Sequence, residues 1–489
     1  MLSKKTAGPV LAVLATFPCM DIARAQTIQQ GEATYDAATR VNKPLPAHPS
    51  SKPVVPPFEH PDALFPDPAG VLSWLRSKGV AFLMSTTNEF SGAATKPTPG
   101  FSQYRQGASG AGQVNTSLHM DWSKLAGIPG FATHTIFTSR YGMTGNRMFG
   151  DWLGHSSEIY GGAGNVVLHL VMAYGEENLL GGRIAIAGGR VSELTDFSSS
   201  PLFCNFVNNS ICGRPRAAAD NDFISRYPAG VWGVRFRGRP SQYTYVQTGV
   251  YFPERNMFGP EYNRSGFKFS GGSAIRGQSV PVEMGWEPRF GAQKGLPGHY
   301  KIGARLMNVP LADVYADDDG RSFAWSRRSA RQHPRSWGTW FEADQKIWVP
   351  HQAGHPASGD RGTTILAGFI LNDKRVSLRH WQTYFGVVNR GFIASRPEDA
   401  LNIIGMYEAM SPGVSATEAA YLDQGLIARL PYRATGVQTH AAVVEANYQI
   451  QVMRGVAIAP DYQIFINPNG QNNLRTAHVF GFKSTVQIF

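Results

Sequence analysis

The last fifty residues of the chain alternate between apolar and polar side chains. In the first stretch the apolar positions are Val444, Ala446, Tyr448, Ile450 and Val452. After a break at 453–455 the apolar positions are Val456, Ile458, Tyr462, Ile464 and Ile466. A period of two predicts strands with one apolar and one polar face. Strands of about ten residues, in a chain that ends on an aromatic residue, suit strands that cross a bilayer better than those of a soluble sandwich.

The same alternation recurs along the chain from residue 80 onward and predicts about sixteen strands. We place them at 80–90, 112–122, 131–141, 165–174, 182–191, 231–238, 241–252, 280–290, 298–308, 337–348, 363–372, 380–390, 400–410, 438–452, 455–466 and 478–488. An even number of strands is typical of a single-chain bacterial barrel.

The connections between these strands differ in length in a regular way. Those after odd-numbered strands are mostly long, and those after even-numbered strands are mostly short. An outer-membrane barrel has long extracellular loops at one rim and short periplasmic turns at the other, whereas a soluble sandwich has no reason to separate them. The pattern therefore predicts an all-β, transmembrane antiparallel β-barrel. We expect its longest connection, 192–230, to fold inward and narrow the lumen.

The N-terminus has the features of an export signal. Lys4 and Lys5 precede a short apolar run, and Ala23-Arg24-Ala25 fits a cleavage site, so we predict a signal peptide over 1–25. Eight prolines between 44 and 66 then predict an extended periplasmic linker over 26–66. Asp67 and Pro68 begin a short helix over 67–79, and the barrel domain occupies 80–489.

Composition agrees with a barrel. The chain has 53 glycines and 11% aromatic residues but only 17% charged residues, and its mean hydropathy is slightly polar. Beyond residue 25 there is no apolar run of about 18 residues, so the sequence predicts no spanning helix. The net charge of +11 leaves an anion preference open.

Cys204 and Cys212 are the cysteines that remain after cleavage of the predicted signal peptide. In an exported protein two such thiols are expected to form one disulfide, here closing a small loop in the longest connection. No His or Cys lies nearby at ligand spacing, and the sequence predicts neither a metal nor a cofactor.

Charged residues within strands are expected to face the lumen, because an Arg or Lys facing lipid at mid-bilayer costs about 2–4 kcal/mol. This places a basic set opposite an acidic set, with guanidinium groups and aromatic rings available to a polar solute. Arg235 and Arg237 are the strongest candidates for solute contact; the bland alternative is that all these side chains only pair with one another. The candidate pore-lining residues are Arg183, Arg190, Arg235, Arg237, Lys301, Arg305, Glu283, Glu287, Trp340, Glu342 and Asp344.

Signatures of enzymes are missing from the sequence, which has no G-x-S-x-G, no H-E-x-x-H and no phosphate-binding loop. His119 and His134 lie on neighbouring predicted strands, an arrangement that an outer-membrane hydrolase could use. Histidines that are hydrogen-bonded within the lumen explain the arrangement more simply. We therefore expect that the protein is not an enzyme.

Several motifs resemble the carbohydrate-selective porins of the OprB family. They are Glu445-Ala446-Asn447-Tyr448, Ala459-Pro460-Asp461-Tyr462-Gln463, Asn467-Pro468-Asn469-Gly470 and Pro228-Ala229-Gly230-Val231-Trp232-Gly233. The resemblance runs from about residue 70 to the end. Two features depart from the family pattern: the Pro-rich linker, and Phe489, which falls one residue out of phase with Phe480, Phe482, Val486 and Ile488. A bulge would restore the phase.

The resemblance implies a passive outer-membrane pore for monosaccharides or similar polyols. A general or anion-preferring diffusion porin is the first alternative and an outer-membrane hydrolase the second. Expected partners are sugars, outer-membrane lipid with lipopolysaccharide, and the barrel-assembly machinery; nucleic acid is not expected. The sequence leaves monomer and homotrimer open.

Overall fold

The computed structural model describes residues 62–489 with gaps at 96–106, 146–148, 155, 158, 160–164, 222, 256, 258–265, 268–273, 292–295 and 351–360. The predicted signal peptide and nearly all of the predicted linker lie outside the described residues and remain predictions.

Long antiparallel strands dominate the fold, as the alternation predicts. They are β1 (Val80–Ala93), β2 (Ala108–Asp121), β3 (Phe131–Gly142), β4 (Val166–Leu179), β5 (Ile184–Val191), β6 (Val231–Ser241), β7 (Thr244–Tyr251), β8 (Ser279–Trp286), β10 (Leu296–Met307), β13 (Ser336–Trp348), β14 (Gly362–Asn372), β15 (Arg379–Arg390), β16 (Ala400–Met410), β17 (His440–Met453), β18 (Val456–Ile466) and β19 (Ala477–Gln487). Short strands β9 (Arg289–Phe290), β11 (Leu311–Asp317) and β12 (Ala330–His333) lie between them.

Each of the sixteen long strands pairs with its neighbours along the chain, and the sheet closes because β1 pairs with both β2 and β19. The short β9 pairs with β10, and β11 pairs with β12 in a separate hairpin. Closure leaves the long strands without an unpaired edge, which a sheet in a bilayer requires. The prediction of a sixteen-stranded barrel is confirmed.

Helices occupy the connections and the N-terminal segment. They are α1 (Val71–Ser77), α2 (Trp122–Ala126), α3 (Glu193–Asp196), α4 (Phe323–Ser326) and α5 (Pro412–Asp423). In the part of the chain that the structure describes, no helix is both long and apolar enough to span a bilayer.

The two rims of the barrel differ as the loop lengths predict. The connections at 143–165, 192–230, 308–335 and 411–439 share one rim, whereas the turns at 180–183, 242–243 and 454–455 share the other. We assign the long-loop rim to the extracellular side and the short-turn rim to the periplasm. Strand β6 therefore runs from the extracellular side down to the periplasm.

The N-terminal helix is shorter than predicted. It starts at Val71 after a 3-10 turn over Pro68–Gly70, and the backbone N–H of Ser73 donates to Asp67 at 3.0 Å. Leu72 is buried, but the apolar side chains of Val71 and Trp74 are exposed. A helix of this length has only one side against the barrel.

The C-terminal residue lies on the outer face of the barrel, although it is out of phase in the sequence. Strand β19 ends at Gln487, and the backbone N–H groups of Ile488 and Phe489 both donate to the carbonyl of Met84, at 2.8 and 3.2 Å. Because two residues share one acceptor, the phase shifts by one position. The ring centroid of Phe489 then lies 6.1 Å from that of Phe82 and 6.4 Å from that of Phe65.

We predict that Phe489→Ala lowers the resistance of the folded barrel to heat, because each lost aromatic contact contributes about 0.5–1.5 kcal/mol. The heat-modifiable migration of the purified barrel measures the effect. Phe392→Ala, at an exposed position in a periplasmic turn, is the matched control. Equal unfolding temperatures for the two variants would show that the terminal aromatic contacts contribute nothing.

Candidate pore constriction

The connection between β5 and β6, residues 192–230, runs into the lumen as the sequence predicted, and we call it the inward loop. It contains α3 and two 3-10 turns, at Phe203–Asn205 and Arg216–Ala219. Its side chains and backbone contact inward-facing residues of strands from β6 round to β19. The loop is therefore held against much of the wall rather than at its two ends alone.

Apolar packing fixes the inward loop against one side of the wall. Phe203 meets Tyr384 of β15 and Phe197 meets Tyr251 of β7, both edge to face, with ring centroids 5.6 and 6.1 Å apart. All four rings are buried. The loop and the wall share one hydrophobic cluster, so part of the lumen is a packed core instead of an aqueous surface.

A buried arginine ties the start of the inward loop to the strands beside it. Arg235 of β6 donates to Glu176 of β4 at 2.7 Å and forms a second ion pair with Asp196 of the loop. Arg305 of β10 likewise binds Glu193 at 3.0 Å. Because Asp196 and Glu193 belong to the loop, moving the loop away would remove one buried counterion from Arg235 and the ion pair of Arg305, which is unfavourable.

Two carboxylates hold the tip of the inward loop. The backbone N–H of Ser198 donates to Glu283 at 3.1 Å, and its hydroxyl donates to Glu342 at 2.8 Å. Ser198 has φ of +48°, a left-handed conformation that a residue other than glycine adopts only with such support. Nζ of Lys301 donates to the backbone carbonyl of Ser199 and lies 3.4 Å from Glu342.

Charged wall residues elsewhere in the lumen also bond the backbone of the inward loop. Glu445 of β17 accepts from the backbone N–H groups of Val207 and Asn208 at 2.6 and 3.0 Å. Lys483 of β19 donates to the carbonyls of Cys204 and Phe206 at 2.9 and 3.1 Å. Wall charges thus satisfy backbone groups that the loop carries out of water.

Glycines on neighbouring strands make room for the large inward rings. Gly303 lies opposite Trp340, and a Cβ at that glycine would come within 2.2 Å of the indole. Gly285 stands in the same relation to Tyr245, at 2.0 Å. These rings therefore lie flat along the wall, and the indole N–H of Trp340 and the hydroxyl of Tyr245 both donate to Glu283 at 2.8 Å.

A polar pocket lies below the tip of the inward loop, toward the periplasmic rim. It encloses about 40 Å³, which is room for a few water molecules. A passing solute would have to displace this water and shift long side chains. The pocket is lined by Asp196, Ser199, Ser200, Pro201, Arg237, Arg239, Tyr245, Gln247, Glu283, Trp286, Glu287, His299, Tyr300, Lys301 and Asp344.

Arg237 differs from its two neighbours on β6. Arg239 pairs with Glu287 at 2.8 Å, and Arg235 has two carboxylates. Arg237 donates through Nε to the amide oxygen of Gln247 at 2.8 Å and lies over the ring of Tyr245. Within the described residues no carboxylate lies at ion-pair distance from Arg237, which lines the pocket.

The structure places the predicted pore residues in three groups. The pocket contains Arg237, Glu283, Glu287, Lys301 and Asp344. Anchoring of the inward loop uses Arg235, Arg305, Glu283 and Glu342, while Trp340 supports Glu283. Arg190 is buried against Glu254 and the carbonyl of Gly230.

For Arg183 the role in lining the pore stays a prediction. The residue lies not within β5 but in the turn that precedes it, and its side chain is exposed at the periplasmic rim. Of the predicted acidic set, Glu283 and Glu342 bond to the loop. Alternation reports which face a side chain occupies but not what covers that face.

Sequence reasoning missed Arg239, His299 and Gln247. Arg239 continues the alternation of Arg235 and Arg237 and could have been found by extending the strand to Ser241, where the structure ends it. His299 bonds Asp344 at 2.6 Å. Gln247 carried no charge to mark it, yet it bridges Arg237 and Glu283.

The structure also shows the surroundings of the two cysteines and the two histidines that the sequence singles out. The structure has Cys204 and Cys212 as thiols, with the N–H of Gly213 donating to the sulfur of Cys204 at 3.0 Å. The predicted disulfide remains a prediction. Nδ1 of His119 lies 2.7 Å from Nδ1 of His134, so the two rings bond one another. Over the described ranges no group of three His, Cys, Asp or Glu residues is placed to hold a metal ion.

The sequence is similar to known porins over most of its length. The model of the carbohydrate-selective porin, OprB family, matches residues 105–488. Porin B of Pseudomonas aeruginosa is 27% identical over 341 residues, covering 69% of this chain and 71% of that protein. A putative porin, QuiX, of Acinetobacter baylyi is 24% identical over 429 residues, covering 86% of this chain and 91% of that protein.

Among solved structures, the high-pH structure of Pseudomonas putida OprB superimposes with a TM-score of 0.77 at 22% identity, covering 86% of this chain and 96% of that one. This likeness shows the fold. The family match spans more than half of the chain and includes the inward loop and every strand from β2 to β19. The chain belongs to the OprB family of carbohydrate-selective porins and is an outer-membrane β-barrel.

Proposed function

We propose that this protein lets monosaccharides and similar polyols diffuse across the outer membrane, down their gradient, through the pocket below the inward loop. The carbohydrate channel is the function of its family; the size of the solute and its route are our proposal. The observation that carries the proposal is the balance of charge in the pocket. Four acidic side chains, Asp196, Glu283, Glu287 and Asp344, face the cationic Arg237, Arg239 and Lys301, while Arg235 pairs with Asp196 and His299 bonds Asp344.

A balanced site favours neutral polar solutes. Paired charges offer hydrogen-bond donors and acceptors to sugar hydroxyls, which can exchange water for them at little net cost. A free anion would meet four carboxylates as well as the basic groups. The chain-wide net charge of +11 is therefore a poor guide to this pocket, and a neutral preference is favoured over the anion-preferring alternative.

Arg237 is our candidate for direct contact with the solute. Its guanidinium carries several donors in one plane, and the residue lines the pocket beside Tyr245. Arg235 is the weaker candidate, because both of its ion pairs serve the wall and the loop. Trp340 is weaker too, since its indole is buried and bonded to Glu283.

The absence of catalysis is part of the proposal. The hydrolase alternative needs a histidine that activates a nucleophile, and the partner that His119 has in the structure is the other histidine, His134, at 2.7 Å. The family and the fold point to a channel.

We further propose three partners outside the pore. Exposed Arg327 and Arg328 on the extracellular connection suit phosphates of lipopolysaccharide. Phe489 on the outer face suits the barrel-assembly machinery. A homotrimer remains a proposal that cross-linking in native membranes would test.

The solute class is tested by liposome swelling. We expect vesicles that contain the protein to swell faster in glucose than in gluconate or glucosamine of similar size, because the pocket carries balanced charge. Vesicles without protein give the baseline. Faster entry of gluconate would support the anion-preferring alternative, and faster entry of glucosamine would contradict a neutral preference.

Arg237→Gln tests the solute contact. We expect glucose entry to change at least two-fold while the barrel remains folded, because a donor that faces the pocket is lost without breaking an ion pair. Arg237→Lys should restore only part of the behaviour, since an ammonium lacks the planar donor set. Arg183→Gln, at the exposed periplasmic turn, is the control, and an equal effect of Arg183→Gln and Arg237→Gln would contradict the assignment.

The proposed Cys204–Cys212 disulfide would stiffen the inward loop. We expect protein isolated without reductant to resist thiol alkylation at both positions, and reduction to increase the current fluctuations of single channels. Cys204→Ser should reproduce the effect of reduction. Full alkylation of unreduced, denatured protein, or unchanged conductance and solute selectivity in Cys204→Ser, would contradict this proposal.

A further inference from the structure

Two acid–base pairs join β10 to β13 on the lumenal face of the wall, at neighbouring heights. Lys301 lies directly opposite Glu342, and His299 lies directly opposite Asp344. Nζ of Lys301 also donates to the backbone carbonyl of Ser199, so this upper pair holds the tip of the inward loop. The lower pair, His299–Asp344, is two residues nearer the periplasmic rim, and in the described part of the chain its side chains bond only one another. The lower pair is therefore not used to anchor the loop.

The bond within the His299–Asp344 pair fixes which ring nitrogen carries a proton. Nδ1 of His299 lies 2.6 Å from Oδ1 of Asp344. An ionised carboxylate only accepts hydrogen bonds, so Nδ1 is the donor both in the neutral ring and in the cation. The other nitrogen, Nε2, then changes its role with the charge of the ring. It accepts a hydrogen bond when the ring is neutral and donates one when the ring is a cation.

His299 is within reach of a solute in the pocket. Its side chain lines the pocket and is 12% exposed. Among the described residues none bonds Nε2. Arg237 lines the same pocket and carries donors only, so a neutral His299 adds the acceptor that a hydroxyl group needs for its own proton.

Charged and titratable groups face His299 from every element around the pocket. Guanidinium and ammonium groups keep their charge, and phenols stay neutral, up to about pH 9. An imidazole titrates nearer neutral pH, with an ordinary pKa of about 6.5. A proton on a carboxylate would change the charge of the pocket in the same direction as a proton on His299, so the test has to separate the two. These groups are Asp196 of α3, Arg237 and Arg239 of β6, Tyr245 of β7, Glu283 of β8 with Glu287 just beyond it, Tyr300 and Lys301 of β10, and Glu342 and Asp344 of β13.

We propose that His299 determines the charge preference of the pocket, and with it the class of solute that passes. As a neutral ring it offers Nε2 to a hydroxyl group of an uncharged polyol, and as a cation it attracts an anion. The proposal rests on the proposed route of solutes through this pocket. Four carboxylates in the pocket stand against three permanent cations, with Arg235 bonded to Asp196, so a single proton on His299 changes the balance.

The size of the effect follows from Coulomb's law. A unit charge about 6 Å from a passing ion, in a medium like water, changes the local concentration of that ion about three-fold. A narrow pocket screens charge less than open water does, so three-fold is the lower end of the expected change. The passage of anions relative to cations therefore rises as the pH falls and His299 takes up its proton.

The ion selectivity of single channels in a KCl gradient is the direct test, and it involves no sugar. We expect the chloride-to-potassium permeability ratio of the full-length protein to be at least about three-fold higher at about pH 5.5 than at about pH 9. His299→Asn keeps an amide donor for Asp344 but cannot be protonated, so it should lose most of this change. His478→Asn is the matched control and should retain the change, because His478 is exposed on the outer face of β19, where Nδ1 bonds the hydroxyl of Tyr462 at 2.7 Å.

The position of the proton is tested separately, without transport. Nitrogen NMR of the isotope-labelled full-length protein in detergent distinguishes protonated from unprotonated ring nitrogens, and the signals of His299 are those that His299→Asn removes. At alkaline pH we expect Nδ1 to be protonated and Nε2 to be unprotonated, because Asp344 accepts from Nδ1. A ring that is protonated at Nε2 alone would overturn the assignment.

Equal permeability ratios at the two pH values in the unmodified protein would also overturn the proposal. So would a change that survives in His299→Asn, which would place the proton on carboxylates such as Glu283 or Glu342, or a change that His478→Asn also loses. Heat-modifiable migration verifies that each variant is folded. A current that glucose leaves unchanged, in channels whose permeability ratio still depends on His299, would refute the sugar route and leave the role of His299 standing.

Discussion

A segment of chain that enters the lumen of a barrel must find partners for its backbone groups, and this requirement governs the rest of the structure. The inward loop, 192–230, meets it with wall side chains instead of with regular secondary structure. Glu283 and Glu445 accept from loop N–H groups, and Lys483 donates to loop carbonyls. The charged residues within the strands therefore serve mainly as bonding partners of the inward loop. Only those that do not bond the loop are available to a solute.

Two arginines of β6, Arg235 and Arg237, look equivalent in the sequence but have different partners in the structure. Both face inward and lie two residues apart, but Arg235 is enclosed by Glu176 and Asp196, whereas Arg237 bonds a neutral amide. A buried ion pair fixes the positions of its two side chains more than it adds net stability, because desolvation offsets much of the attraction. The paired residues therefore define the shape of the constriction, and Arg237, with Lys301 and the His299–Asp344 pair, gives it polar chemistry.

The barrel could be predicted from sequence because its determinants are local and repeated. Alternation along β17 and β18 gives the faces, and unequal connections give the rims, without knowledge of any long-range contact. The constriction could not be predicted to the same depth. Ser198 meets Glu283 and Glu342 across separations of 85 and 144 residues, and no local pattern encodes which wall residue a loop will reach. Phe489 shows an intermediate case: its phase in the sequence was correct for an unbroken strand, and a shared acceptor at Met84 shifted it.

The central claim is that the pocket below the inward loop binds neutral sugars weakly as they pass. The most direct measurement is the ion current through single channels in a planar bilayer as glucose is added at millimolar concentrations. We expect a reversible, concentration-dependent reduction of the current by glucose, with gluconate of similar size no more effective. Current that stays constant with every sugar tested would contradict it, and would identify the pore as a channel for simple diffusion.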